Sequence, residues 1–387
     1  MAFSDGAQPA LVVAKPSRLT MELLLLAFGG VFLLASWELI AAAGPPRDLP
    51  FSDSAAQDIL QRARPDRVCP RITDRYGVVL AASETTLDAK GKPQQRRAYP
   101  LAPVIGPLLG GGYVADGLAQ QQRLAGIPQH TPGWPFVAWQ GWTLGPPPKV
   151  TSTIDAVLCE KLHSLLVKRG VQGCILVVTP EGEILACVQN PSADITRLSQ
   201  AEYRAQIAAQ GRSTGISPLT NPWGWLVPPG STIKPFLVAV ARQKKIAPPS
   251  VLCHGYTTDF GRSLHCHQAH GSVDTYALAL ADSCDIFFYA LSEKAALDGN
   301  TLVSYASAAG LTNPSLAGGK PAAAVLPWAG AAPGTEQRAL SFIGQGLGVS
   351  PLGLLSAYAS VLYGGAPHWR LVRELDGKPV AYPKPTP

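Results

Sequence analysis

At 387 residues the chain has room for two or three folding units, and with 47% hydrophobic and 15% charged residues it is too apolar to stay unfolded. Its 38 glycines and 36 prolines follow no period, which excludes collagen-like and repeat architectures and leaves little room for an all-helical bundle. The net charge of +6 is spread thinly: the densest group, Arg62, Arg64, Arg67, Arg71 and Arg75, is interrupted by Asp66 and Asp74 and lacks interleaved aromatics, which argues against nucleic acid as a partner and for a basic surface facing an anionic membrane or polymer.

Leu23 to Trp37 run fifteen residues without a charge between Glu22 and Glu38, and Leu39 to Ala43 extend the stretch towards the ~20 residues that cross a bilayer. Lys15 and Arg18 before it favour a cytoplasmic N-terminus. We read residues 1–20 as a cytoplasmic tail and 21–43 as an uncleaved anchor. The alternative is a secretory signal cut near Ala41-Ala42-Ala43. Either reading puts the bulk of the chain outside the cytoplasm. Gly44 to Pro50 is a stiff linker.

Ile72-Thr73, a turn at Tyr76-Gly77 and Val78 to Ala82 predict a hairpin, followed by Gly-, Pro- and Gln-rich sequence with a helix-like patch at Gly117 to Leu124. Residues 44–149 therefore read as a small, β-rich extended domain ended by Pro146-Pro147-Pro148. From residue 150 the texture changes. Asp155 caps a helix over Ala156 to Lys168, with Val157, Leu158, Leu162, Leu165 and Leu166 on its apolar face. Cys174 to Thr179 and Ile184 to Val188 flank the turn Pro180 to Glu183 and predict a second hairpin, with Cys174 and Cys187 as buried core thiols. Alanine-rich helices are expected near Thr232 to Lys244, Tyr276 to Leu297 and Pro351 to Leu362. Helix plus hairpin implies an α+β unit with an antiparallel sheet.

Pro228-Pro229-Gly230-Ser231-Thr232-Ile233-Lys234-Pro235-Phe236 carries the sharpest chemical signal. Ser231 falls at a helix N-terminus, where free N–H groups stabilise an oxyanion, and Lys234 follows three residues later on the same face with an amine able to take the serine proton. Alone, the pattern is no more than a capping serine and a surface lysine. Downstream, Asp282-Ser283-Cys284-Asp285 offers a second hydroxyl and an acid that can relay a proton to a leaving amine.

The ordered set resembles the class B penicillin-binding proteins, peptidoglycan D,D-transpeptidases. Arg71 to Ala81 resembles the entry to that family's pedestal domain, and Val150 to Asp155 the lead into its catalytic domain. Pro218 to Asn221, the Ser231 segment, His270-Gly271 with Ser283 to Ala290, and Gly344-Gln345-Gly346 followed by Ser350 to Gly365 continue the match in order over roughly residues 67 to 370. The resemblance implies a penicillin-binding or serine β-lactamase-like transpeptidase domain over 150–387, an antiparallel sheet flanked by helices, behind an N-terminal transmembrane helix and a pedestal. It implies Ser231 as the nucleophile acylated by D-Ala-D-Ala stem peptides and by β-lactams, Lys234 as the general base, and Ser283 and Asp285 as the second motif. No cofactor is required. A membrane-embedded cell-wall glycosyltransferase is the implied partner, and the bacterial cytoplasmic membrane, with the catalytic domain outside, the implied location.

One departure stands out. The family's third motif, Lys-Thr-Gly or Lys-Ser-Gly on a strand beside the nucleophile, is absent, and Gly377-Lys378-Pro379 has a proline that cannot donate a strand hydrogen bond. This reads as a C-terminally incomplete domain or a catalytically impaired scaffold that keeps the partner contacts. A β-lactam sensor or serine β-lactamase fits less well, since neither needs residues 67 to 150.

The cysteine count of seven is odd, so a full disulfide framework is excluded. Cys253, Cys266, His270 and Cys284 form a ligand set suited to structural zinc, and some elongation-type members of the resembled family are thought to hold zinc near this place. A Cys253–Cys266 disulfide, with Cys284 buried, is the alternative. His254, His265 and His267 are expected at the surface.

Overall fold

A computed structural model describes residues 71–87, 90–109, 149–198, 200–316, 321–330, 332 and 334–382, all within one compact unit. The expected anchor, the linker and the patch at Gly117 to Leu124 lie outside the described residues. Among the described residues no helix is long and apolar enough to cross a membrane.

The chain enters through β1 (Arg71–Thr73), β2 (Val79–Leu87), β3 (Pro93–Ala98) and α1 (Ala102–Leu109). There follow β4 (Lys149–Ser152), α2 (Ala156–Lys168), β5 (Gly173–Val178), β6 (Ile184–Asn190) and α3 (Ala201–Thr214). A single 3-10 turn, Gly230–Ile233, runs straight into α4 (Lys234–Gln243). Four short strands come next, β7 (Val251–Cys253), β8 (Tyr256–Thr257), β9 (Leu264–His265) and β10 (Gly271–Val273). After them come α5 (Tyr276–Ala281), α6 (Asp285–Ser292), α7 (Gly299–Ala308), α8 (Glu336–Ser341) and α9 (Pro351–Tyr363). The hairpin of β11 (Val372–Leu375) and β12 (Lys378–Pro379) ends the described chain.

The first hairpin forms as expected, with Ile72 opposite Ala81. Strand β2 continues past Ala82 to pair with β3, a pairing its Ser- and Thr-rich sequence did not signal. Six strands in the order β12-β11-β4-β1-β2-β3 make one sheet, so strands from both sides of residue 150 share it. The sheet is mixed rather than antiparallel, because β1 and β4 run parallel with Ile72 opposite Val150. Parallel neighbours need a long crossover, and the chain between Thr73 and Lys149 supplies it. Lys378, in the place where a third motif was sought, sits in the edge strand β12 of this sheet, paired with Leu375.

Asp74 ties this sheet to the helical part. It is fully buried, its Oδ1 accepts from the N–H of Tyr76 and of Val78, both at 2.8 Å, and its Oδ2 accepts from the N–H of Ala156 at 3.2 Å. One carboxylate thus closes the first hairpin and holds the first turn of α2. Asp155 caps that helix through the Leu158 N–H. The buried face of α2 is Ala156, Cys159 and Leu166, while Val157 and Leu165 of the expected stripe are exposed. The helix packs on β6, so its buried face is set by that strand rather than by its own apolar stripe.

Hairpin β5–β6 is antiparallel and two-stranded among the described residues, so the outer edge of β5 has no strand beside it. That open edge is why Cys174 is half-buried, a correction to its expected place in the core, whereas Cys187 on β6 is buried. A second apolar cluster holds α4 to α8, with Phe236 stacked on Trp328 at 6.4 Å between ring centroids.

Candidate active site

Ser231 does not sit on the first turn of an α-helix but on the 3-10 turn that feeds α4. Two prolines stop the preceding segment from being helical, and Gly230 takes φ +57 to turn the corner. In a 3-10 turn side chains i and i+3 eclipse, which puts Ser231 and Lys234 over one another. The turn is held from both sides. Gly230 donates its N–H to the Gly344 carbonyl at 3.3 Å, Val227 and Val349 exchange both backbone bonds, and the Tyr358 hydroxyl of α9 donates to the Thr232 carbonyl at 2.8 Å. None of these three supports was assigned a role from sequence. Gly344 belonged to a recognised Gly-Gln-Gly signal and Tyr358 to the recognised segment after it, but neither pointed to its contact, since the partner of Tyr358 lies 126 positions away.

Lys234 is 1% exposed. Its amine donates to the Ser283 carbonyl at 2.8 Å and the Ser283 hydroxyl at 3.0 Å, and pairs with Asp285 Oδ1 at 2.6 Å. The Phe288 ring lies 5.0 Å from the same nitrogen. No hydrogen bond joins Lys234 to Ser231, whose side chain is exposed. Three of the four residues selected from sequence, Lys234, Ser283 and Asp285, therefore converge on the lysine amine, which is engaged by the second motif rather than by Ser231.

A break in the expected single helix over Tyr276 to Leu297 aims the second motif. Helix α5 ends with Ser283 donating to the Leu280 carbonyl and Cys284 to the Ala279 carbonyl, the paired bonds of a Schellman stop. The left-handed position of that stop, usually glycine, is Ser283 at φ +48. The hydroxyl is thus kept at a conformational cost. Comparison of two variants isolates that cost: Ser283→Gly should be more stable than Ser283→Ala by about 1 kcal/mol, because only glycine takes positive φ freely. Both should lose the hydroxyl contact with Lys234. Equal melting temperatures for the two would show that Ser283 is unstrained.

Behind this motif Cys253, Cys266, His270 and Cys284 come together, with one ligand atom of each lying within 4.8 Å of the others. The three thiols are unpaired. His270 Nδ1 is 3.5 Å from Cys253 Sγ and 3.6 Å from Cys266 Sγ. With Zn–S of about 2.3 Å and Zn–N of about 2.0 Å, such separations subtend about 110° at a metal, the tetrahedral angle. The widest pair would close by roughly 1 Å to reach a tetrahedral edge. His270 Nε2 is buried without a hydrogen-bond partner, so the ring's described polar contacts are with sulfur. Burial first, and the neighbouring Cys253 and Cys266 after it, push the Cys284 thiol up to about 12. The residues fit a closed structural zinc site. It is joined to the active site by the Asp285 N–H, which donates to Cys266 Sγ at 3.3 Å. His254, His265 and His267 are at the surface as expected.

Comparison with known proteins adds the following. The family model described as the penicillin-binding protein transpeptidase domain matches residues 173–368. No curated protein matches the chain in sequence. Among solved structures, penicillin-binding protein A from Mycobacterium tuberculosis, as a penicillin G acyl-enzyme complex, aligns at 23% identity over 83% of this chain and 77% of its own, with a TM-score of 0.61. Pseudomonas aeruginosa PBP2 aligns at 23% identity over 83% and 75%, TM-score 0.61. The D,D-transpeptidase domain of a peptidoglycan glycosyltransferase from Eggerthella lenta aligns at 18% identity over 82% and 76%, TM-score 0.63.

Proposed function

The chain belongs to the penicillin-binding protein transpeptidase family, and from that premise we propose that it is a peptidoglycan D,D-transpeptidase working through an acyl-enzyme on Ser231. The observation that carries this reading is the buried Lys234 amine, held within 3.0 Å of the Ser283 hydroxyl and Asp285 by a residue three positions after Ser231, its own N–H bonded to the Ser231 carbonyl. Ser231 Oγ attacks the carbonyl of the penultimate D-alanine of a stem peptide, or of a β-lactam. Lys234 takes the serine proton and returns it through the Ser283 hydroxyl, to which its amine is hydrogen-bonded, to the departing D-alanine amine. An amine from a second stem peptide then attacks the ester and regenerates the serine. Asp285 holds the lysine in place, and the Ser231 N–H at the mouth of α4 supports the developing oxyanion.

The proposal extends to the setting. Leu23 to Ala43 anchor the chain in the bacterial cytoplasmic membrane with the catalytic domain outside, and a membrane-embedded cell-wall glycosyltransferase contacts the anchor and the pedestal. The transpeptidation itself requires no cofactor. Cys253, Cys266, His270 and Cys284 would hold a structural zinc that cross-links the strands β7 and β10 to the start of α6. In that position it braces Ser283 and Asp285.

A second reading, a scaffold that keeps the fold without turnover, is favoured by the exposed Ser231 and by the β5 edge, which has no neighbouring strand among the described residues. Fluorescent penicillin separates the two. The full chain should take covalent label at Ser231, and Ser231→Ala should take none. Folded protein that fails to label would establish the scaffold.

A further inference from the structure

The geometry points to His267 as a transit ligand, the side chain through which zinc enters and leaves the Cys253, Cys266, His270 and Cys284 centre. The inference rests on the zinc reading above and adds a residue outside that ligand set. The centre is lopsided. Cys253 and Cys284 are buried at 1% and 0% exposure, while Cys266 and His270 are only partly covered, so a metal can arrive from their side alone.

His267 stands on that side. It is exposed, its Nδ1 lies 3.9 Å from Cys266 Sγ, and its ring meets the His270 ring edge to face at 4.8 Å between centroids. A metal at the same bond lengths from this sulfur and this nitrogen would subtend about 130° between them, the angle of a distorted tetrahedron. Cys266 Sγ is therefore a pivot, 3.9 Å from one imidazole at the surface and 3.6 Å from another in the centre.

Zinc exchanges ligands readily by passing through five-coordination. A metal captured by His267 and Cys266 can add His270 before it drops His267, and then descend to Cys253 and Cys284 without crossing the opening stripped of ligands. The neighbouring imidazoles are less suited. His265 Nε2 is engaged by the Ser263 hydroxyl at 3.2 Å, and its ring leans on Tyr256. His254 has no described contact with any thiol of the set.

The test uses the full chain loaded with zinc, with release followed by a chromogenic chelator and loading followed by cobalt(II) absorption. His267→Ala should keep one metal per chain and the same cobalt–thiolate spectrum, with equilibrium affinity within about threefold, while loading and release both slow about tenfold. Unchanged or faster rates would overturn the proposal, leaving His267 a surface residue. Loss of the metal or an altered cobalt spectrum would overturn it in the other direction, making His267 a resident ligand. His270→Ala, which removes a resident ligand, is the control for that outcome. Wild-type protein that binds neither metal would refute the zinc reading itself, a result distinct from any His267 effect.

Discussion

Replacing Gly344 with alanine is expected to abolish penicillin labelling and to cost about 2–4 kcal/mol of stability. Gly344 has φ +79, and a Cβ built there overlaps the Gly230 carbonyl oxygen. The obstacle is backbone, so no side-chain rotation relieves it. Gly230 is the residue immediately before Ser231, the proposed nucleophile, and the strain would be relieved by pushing the Ser231 turn outward. A displacement of about 1 Å at a reacting atom costs on the order of a hundredfold in rate. Two residues on, Gly346 has φ +72 with nothing within 4 Å of the position its Cβ would take. Gly346→Ala should therefore cost only about 1 kcal/mol, from left-handed backbone, and leave labelling intact. Thermal melts and labelling rates of the two variants check the argument, and similar behaviour of both would refute the role assigned to the Gly230 contact.

Asp74→Ala is expected to lower stability by about 3 kcal/mol, since it strands the buried N–H of Ala156, at about 1–3 kcal/mol, and removes the charge-assisted bonds from the part-buried N–H groups of Tyr76 and Val78. Asp74→Asn should be milder. Its oxygen can keep the two hairpin donors, but its amide NH2 then faces the Ala156 N–H. Neither change touches Ser231, so well below the melting transition both variants should label at the wild-type rate. A drop in labelling with no drop in melting temperature would contradict this division between frame and site.

The proposed catalytic group was legible in sequence because its chemistry is compressed into short words. Ser231 and Lys234 lie three residues apart, and Ser283 and Asp285 two apart, so local backbone geometry nearly determines each pair. The thiol and imidazole cluster was legible for a different reason: soft ligands are rare enough for their spacing to be noticed. What could not be read was how these words meet. Lys234 reaches Ser283 and Asp285 across about fifty positions, and its preference for them over Ser231 follows from the break between α5 and α6. That break came from Ser283 adopting a glycine's conformation, against its own propensity.

Much of the secondary structure was likewise local. Asp155 and the apolar spacing after it specify α2, and β5 with β6 follow from β-branched runs about a Pro-Glu-Gly turn. Which face of α2 is buried, however, depended on its packing against β6. The parallel pairing of β1 with β4, and the membership of β11 and β12 in the same sheet, arise from hydrogen bonds between segments far apart in the chain. Local propensity selects strands but carries no information on their neighbours. Sequence alone singled out the proposed reactive groups and determined most of the elements that carry them. Tertiary structure alone decided that Lys378 lies in the edge strand of the shared sheet, that Gly344 presses on Gly230, and that Cys266 and His270, the partly covered side of the thiol and imidazole cluster, lie beside His267, because each is a contact between backbones or side chains that local sequence does not specify.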